Sequence, residues 1–147
     1  MAIVVSVTDL TAVEQASEEF QRLWEETLGD LDAALTPTQL RVLLMIDRSG
    51  PLRLGELADG LAASPSSVSK VVDRLEAGGF VQRTAGVEDA RVVGVGLSTA
   101  GTALAGWIHE HHRATLAAVL DRMDARGRAA LVSGLAEFDR TAAARSN

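Results

Sequence analysis

Ser64-Pro65-Ser66-Ser67-Val68-Ser69-Lys70-Val71-Val72-Asp73-Arg74-Leu75-Glu76 runs into Gly78-Gly79-Phe80-Val81-Gln82-Arg83, and Asp89-Ala90-Arg91 follows shortly after. The first stretch opens on a capping serine and a proline at the first helical position, a pre-organised helix start. The glycine pair stops the helix. Residues 80–83 and 92–97 are β-rich, and the turn-forming stretch between them makes the pair a hairpin. A helix that fits a major groove, set beside a ribbon whose arginine fits a minor groove, is an arrangement for reading DNA. No other part of the chain restricts the fold so closely.

The remaining elements follow from caps and periodicity. Thr11-Ala12-Val13-Glu14 reads as a capping box, followed by Val13, Ala16, Phe20, Leu23, Trp24, Leu28 and Leu31 at helical spacing, a first helix to about Asp32. Thr36-Pro37-Thr38-Gln39 opens a second helix, which Ser49-Gly50-Pro51 closes. A short helix spans residues 54–61. Ser98 precedes a long helix from Thr99 to about Met123, and a last Ala- and Arg-rich helix runs from about Asp124 to Ala144. The order is four helices, a hairpin and two helices. The expected fold class is mainly α with a small β-hairpin, a winged helix-turn-helix.

Within that motif, Ala58, Ala62 and Val68 hold the positions where two helices must cross closely. Ala62 stands where glycine is more usual. Val68, Val71, Val72 and Leu75 form the buried stripe of the second helix. Ser66, Ser69, Lys70 and Asp73 face away from it, with Ser67 and Arg74 at the edge. The small hydroxyls of Ser64, Ser66, Ser67 and Ser69 allow close approach to base edges, and the helix N-terminus favours a phosphate. Lys70 and Arg74, one turn apart, reach a guanine or the backbone, unless Arg74 pairs with an acid elsewhere. Asp89 and Arg91 share one face of an extended segment, so the acid holds the guanidinium in a fixed pose suited to a narrow minor groove.

Residues 61–83, followed by Asp89-x-Arg91-x-x-x-Val95-x-Leu97-Ser98-x-x-Gly101, resemble the MarR family of winged helix-turn-helix regulators. The likeness covers residues 36–101 and extends to the flanking helices in layout. It implies a homodimer whose platform is built from residues 1–35 and 99–147, with residues 36–98 as the DNA-binding lobe. Two lobes would then bind a pseudo-palindromic operator on double-stranded DNA. It also implies a repressor whose affinity falls when a small aromatic or anionic ligand enters between platform and lobe. Trp24, Trp107 and His111 are the candidate ligand-lining residues. Arg53 departs from the family pattern, in which Ser or Thr caps that helix; either Arg53 touches a phosphate or the cap is weak.

The charge balance weighs against DNA at first sight, because the net charge is −6 over 147 residues. Residues 1–50 hold nine acids and three bases, so the excess acidity sits in the N-terminal third. DNA binding then requires Arg53, Lys70, Arg74, Arg83 and Arg91 to share one face. There is no cysteine, which removes disulfides and thiolate metal sites. The N-terminus lacks the form of a signal peptide, and no run approaches the roughly 20 apolar residues of a membrane span. A cytoplasmic protein is expected, with no membrane partner and no cofactor. No phosphate loop or nucleophile elbow is present, so no enzyme is expected. Two rivals stay open: a metal-responsive regulator using His109, His111 and His112, although no further ligand follows from spacing, and a winged-helix module that binds protein instead of DNA.

Overall fold

The computed structural model describes residues 5–31, 35–85 and 93–145. Their elements are α1 (Val7–Gly29), α2 (Pro37–Ser49), β1 (Leu52–Arg53), α3 (Leu54–Leu61), α4 (Pro65–Ala77), β2 (Val81–Ala85), β3 (Val93–Leu97), α5 (Thr99–Leu120) and α6 (Ala125–Ala144). The chain is mainly helical with a small sheet, as expected from its sequence. The sheet has three strands instead of two. It is antiparallel in the order β1-β3-β2, with Leu52 opposite Val95 and Val81 opposite Leu97. At two residues, β1 is too short to show the alternation by which a strand is read.

The chain divides into two compact units, Met1–Thr27 with His111–Asn147, and Leu28–Glu110. The boundaries fall inside α1 and α5, whereas the sequence reading placed them near the ends of those helices. A helix of 22 residues such as α5 is about 33 Å long, enough to contribute to both units.

In the second unit, α2, α3 and α4 pack with the sheet around Val42, Ile46, Leu57, Ala58, Val68, Val72, Leu75, Val81 and Val95, all at most 3% exposed. Helix α2 starts on the capping box read from the sequence. The Thr36 N–H donates to Gln39 Oε1 (2.7 Å) and the Gln39 N–H donates to Thr36 Oγ1 (3.2 Å). Arg53 occupies the N-cap of α3 without a side-chain cap; only Glu56 reaches back, accepting the Arg53 N–H at 2.7 Å. The cap is therefore the weak one.

Helices α3 and α4 end in the same hydrogen-bond pattern. After α3, the Ala63 N–H donates to Ala58 O (3.0 Å) and the Ala62 N–H to Asp59 O (3.2 Å). After α4, the Phe80 N–H donates to Leu75 O and the Gly79 N–H to Glu76 O, both at 2.9 Å. This motif needs a left-handed residue at its pivot. Gly79 supplies it at φ +80°, and Ala62 is forced into it at φ 51°. Helix α5 begins on Ser98, whose Oγ accepts the Gly101 N–H (3.0 Å) and whose N–H donates to Phe80 O (3.0 Å).

In the first unit, α1 starts earlier than its sequence suggested. Ser6 and Asp9 form the box: the Ser6 N–H donates to Asp9 Oδ2 (2.9 Å) and the Asp9 N–H to Ser6 Oγ (3.1 Å). The Ser6 hydroxyl also donates to that carboxylate, which holds the Asp9 carboxyl below its usual range. Thr11 is corrected to a helix-interior residue, its hydroxyl donating back to Val7 O (2.9 Å). Serine and aspartate at the same spacing one turn upstream do the work assigned to Thr11 and Glu14. Asp124 caps α6 by accepting the Gly127 N–H at 2.7 Å. No residue of α6 is buried. Val13 (52%) and Phe20 (39%) on α1, and Val132 (56%), Leu135 (42%) and Phe138 (60%) on α6, stay exposed. These apolar stripes lack cover among the described residues.

Two substitutions check this account. Ala62→Gly removes a left-handed strain of roughly 1–2 kcal/mol while adding unfolded-state freedom, for a net gain of about 0.5–1 kcal/mol in urea denaturation. Gly101→Ala does the opposite, because an added Cβ would sit 1.9 Å from the Phe80 carbonyl oxygen; a loss of about 1–3 kcal/mol is expected.

Candidate nucleic-acid interface

Helix α4 has two faces of opposite character. Val68, Val72 and Leu75 are 1%, 0% and 0% exposed, and Val71 packs against the same core. Ser66, Ser67, Lys70, Asp73 and Arg74 are exposed, and Ser69 is half-buried. Burial at i, i+4 and i+7 fixes the rotation of the helix about its axis, so the polar face is held outward.

The serines at its start have distinct roles. Ser64 is the N-cap, its Oγ accepting the Ser67 N–H at 3.3 Å and donating to Ser67 Oγ at 2.8 Å. Ser66 Oγ lies 3.2 Å from Ser64 Oγ. The three hydroxyls cluster over the first turn, where free backbone N–H groups also point.

The charged residues separate into paired and unpaired sets. Among the described residues, Lys70 and Arg74 have no ion-pair partner. Arg83, on β2, was counted with them among the bases on one face. Its guanidinium instead binds Asp73 Oδ1 at 2.6 Å and Glu76 Oε2, and its backbone N–H donates to Glu76 Oε1 at 3.3 Å. The hydrogen bond to Asp73, aided by both negative charges, raises the Arg83 pKa further above its ordinary value. Arg83 thus ties the hairpin to the C-terminal half of α4. Sequence spacing gave no signal of this, since Arg83 is ten residues from Asp73. Arg53 is exposed at the start of α3, on edge strand β1. Asp89 and Arg91 lie outside the described residues.

The three histidines go to different partners. In the second unit, His109 Nε2 lies 3.0 Å from Asp47 Oδ2. In the first, the His112 ring meets Trp24 edge to face, centroids 4.7 Å apart, with Nδ1 3.3 Å from the buried Thr27 hydroxyl. His111 is half-buried in that unit, and Trp107 half-buried in the second. Among the described residues, no three His, Cys, Asp or Glu side chains gather where a metal would bind. Among the same residues, no helix is long and apolar enough to cross a membrane.

Residues 35–93 match the model of the MarR family. Over this stretch the chain is similar to the MarR family. It is similar to the HTH-type transcriptional repressor MdtR of Bacillus subtilis, with 34% identity over 83 residues, 56% of this chain and 54% of that protein. The matched stretch spans about half the length of that relative. Among solved structures, RV1404 from Mycobacterium tuberculosis has a TM-score of 0.84 at 26% identity, covering 95% of this chain and 97% of that one. Wild-type MarR from E. coli, in its apo form, has a TM-score of 0.67 at 25% identity, covering 92% and 98%. In the stretch of this chain that matches the MarR model, the structural use of Ser64 is separable from any contact made by Ser66 or Lys70. Ser64→Ala is expected to lower stability by about 1 kcal/mol through the lost cap, read by thermal denaturation without DNA.

Proposed function

We propose that this chain is a DNA-binding transcriptional regulator of the MarR type, not an enzyme. The observation that carries the proposal is α4: its apolar face is locked in the core while Ser66, Lys70 and Arg74 are exposed on the other, the two cations without an ion-pair partner among the described residues. A polar helix face held outward, with cations unpaired among the described residues and a hydroxyl-rich N-terminus, suits a major groove lined by phosphates. In this reading Ser64, Ser66, Ser67, Ser69, Lys70 and Arg74 meet one half-site. Arg91, oriented by Asp89, enters the flanking minor groove, and Arg53 contacts the backbone.

The finer reading is a cytoplasmic homodimeric repressor on a pseudo-palindromic operator, released by a small aromatic or anionic ligand. The word repressor in the name of the MdtR relative supports the direction of regulation. The exposed apolar stripes of α1 and α6 support the homodimer, with residues 1–35 and 99–147 as its platform and residues 36–98 as the DNA-binding part. Trp24, Trp107 and His111, all half-buried, are the proposed ligand contacts.

The test is fluorescence anisotropy at ~150 mM salt with the duplex upstream of the gene and a shuffled control. A preference of about a thousandfold or more for the native duplex is expected, and Arg91→Ala should cost about 1–3 kcal/mol of it with an unchanged circular dichroism spectrum. Equal, weak binding to both duplexes would count against a regulator of its own gene, and an unaffected Arg91→Ala variant against the wing assignment. In a second experiment, Leu135→Glu or Phe138→Glu should shift the sedimenting species from dimer to monomer. A dimer that survives both would remove α6 from the interface.

A further inference from the structure

Helix α4 carries two bases, Lys70 and Arg74, and two acids, Asp73 and Glu76, so by itself it is neutral. The acids are not turned away from the presumed DNA side. Asp73 is three residues from Lys70 and Glu76 three from Asp73, which places them along one surface row, and both are exposed. A bare carboxylate pair on a helix entering a groove would face phosphates of like charge.

We infer that Arg83 is a positioning residue for DNA binding, a clamp that acts through Asp73 and Glu76 by neutralising both carboxylates, and not a phosphate contact. Its guanidinium is committed to both carboxylates, and its N–H to Glu76 as well. Only 29% of the Arg83 side chain is exposed, against 59% for Asp73 and 40% for Glu76. The planar fork of arginine suits a bridge between two carboxylates in a way an ammonium does not. With Arg83 in place, the helix and its clamp carry a single positive charge. The inference rests on the DNA-binding reading above.

The probe is the duplex that the wild-type chain enriches most from a random-sequence pool. Arg83→Gln should weaken its binding about tenfold, and adding Asp73→Asn and Glu76→Gln in the same chain should restore affinity to within about threefold of wild type. The slope of log affinity against log salt should stay the same across these variants. If Arg83 touches a phosphate instead, the triple variant stays weak and the slope falls by about 0.9; either result overturns the clamp, as does an Arg83→Gln variant that binds like wild type. Should Arg83→Gln fail to fold, Asp73→Asn with Glu76→Gln beside an intact Arg83 decides. It should bind at least as tightly as wild type, and a clear loss of affinity in a folded protein overturns the inference. A wild-type chain that enriches no duplex removes the DNA-binding reading itself, and the clamp with it. Enrichment without rescue removes the clamp alone.

Discussion

The carbonyl of Phe80 is where the lobe is pinned together. It accepts the N–H of Ser98 at the start of α5, and Gly101 packs so closely on it that no side-chain carbon fits between. The N–H of the same residue closes the end of α4 by donating to Leu75 O. The Ser98 hydroxyl donates to Gly79 O, one peptide upstream. One short turn therefore fixes the end of α4, the entry to β2 and the origin of α5 by backbone contacts, which change little with side-chain identity. The close approach requires glycine at 101 and the reversal requires a left-handed residue at 79, so two glycines and one serine determine where the exposed face of α4 is aimed.

Electrostatics act on that fixed frame. The chain is acidic overall, yet the acids of α4 are the ones bound by Arg83, while Lys70 and Arg74 have no such partner among the described residues. The arrangement separates local from net charge: what an approaching polyanion meets depends on the few charges within about one Debye length, roughly 8–10 Å. An ion pair as exposed as Arg83 with Asp73 contributes little to folding in water. Its larger effect is on which charges remain uncompensated at the helix surface and on coupling the hairpin strand to the helix.

Much of this was legible in the sequence because it is encoded locally. The start of α2 at Thr36-Pro37 with Gln39, the start of α4 at Ser64-Pro65, the stripe of Val68, Val72 and Leu75, and the spacing from Ser98 to Gly101 all lie within one or two helical turns. The features that escaped fall into two kinds. Some use an equivalent chemistry at a neighbouring site, as when Ser6 and Asp9 cap α1 ahead of Thr11, or when Ala62 takes up a conformation that glycine adopts freely. Others join residues far apart in the chain: β1 exists because Leu52 and Arg53 lie beside β3, and Arg83 is removed from the free cations because β2 runs next to α4. Periodicity reports which face of an element is buried, and says nothing about which neighbour a surface charge will meet. Asp89 and Arg91, placed by their spacing on one face of an extended segment, lie outside the described residues.

The exposed stripes of α1 and α6 bear on the same question from the side of stability. Helix α6 has 20 residues, none of them buried. An isolated helix of that length is only marginally stable in water, and most helical stability in proteins comes from packing an apolar face. Val132, Leu135 and Phe138 supply such a face, at a three-residue spacing that keeps side chains on one side of a helix, and it stays exposed among the described residues. A helix patterned in this way and left bare gains its packing energy only on association. If the associating partner is a second copy, as proposed, completing α6 and pairing two DNA-reading helices are one event. Stability and DNA affinity would then both depend on protein concentration, because a bivalent reader exists only where the dimer does.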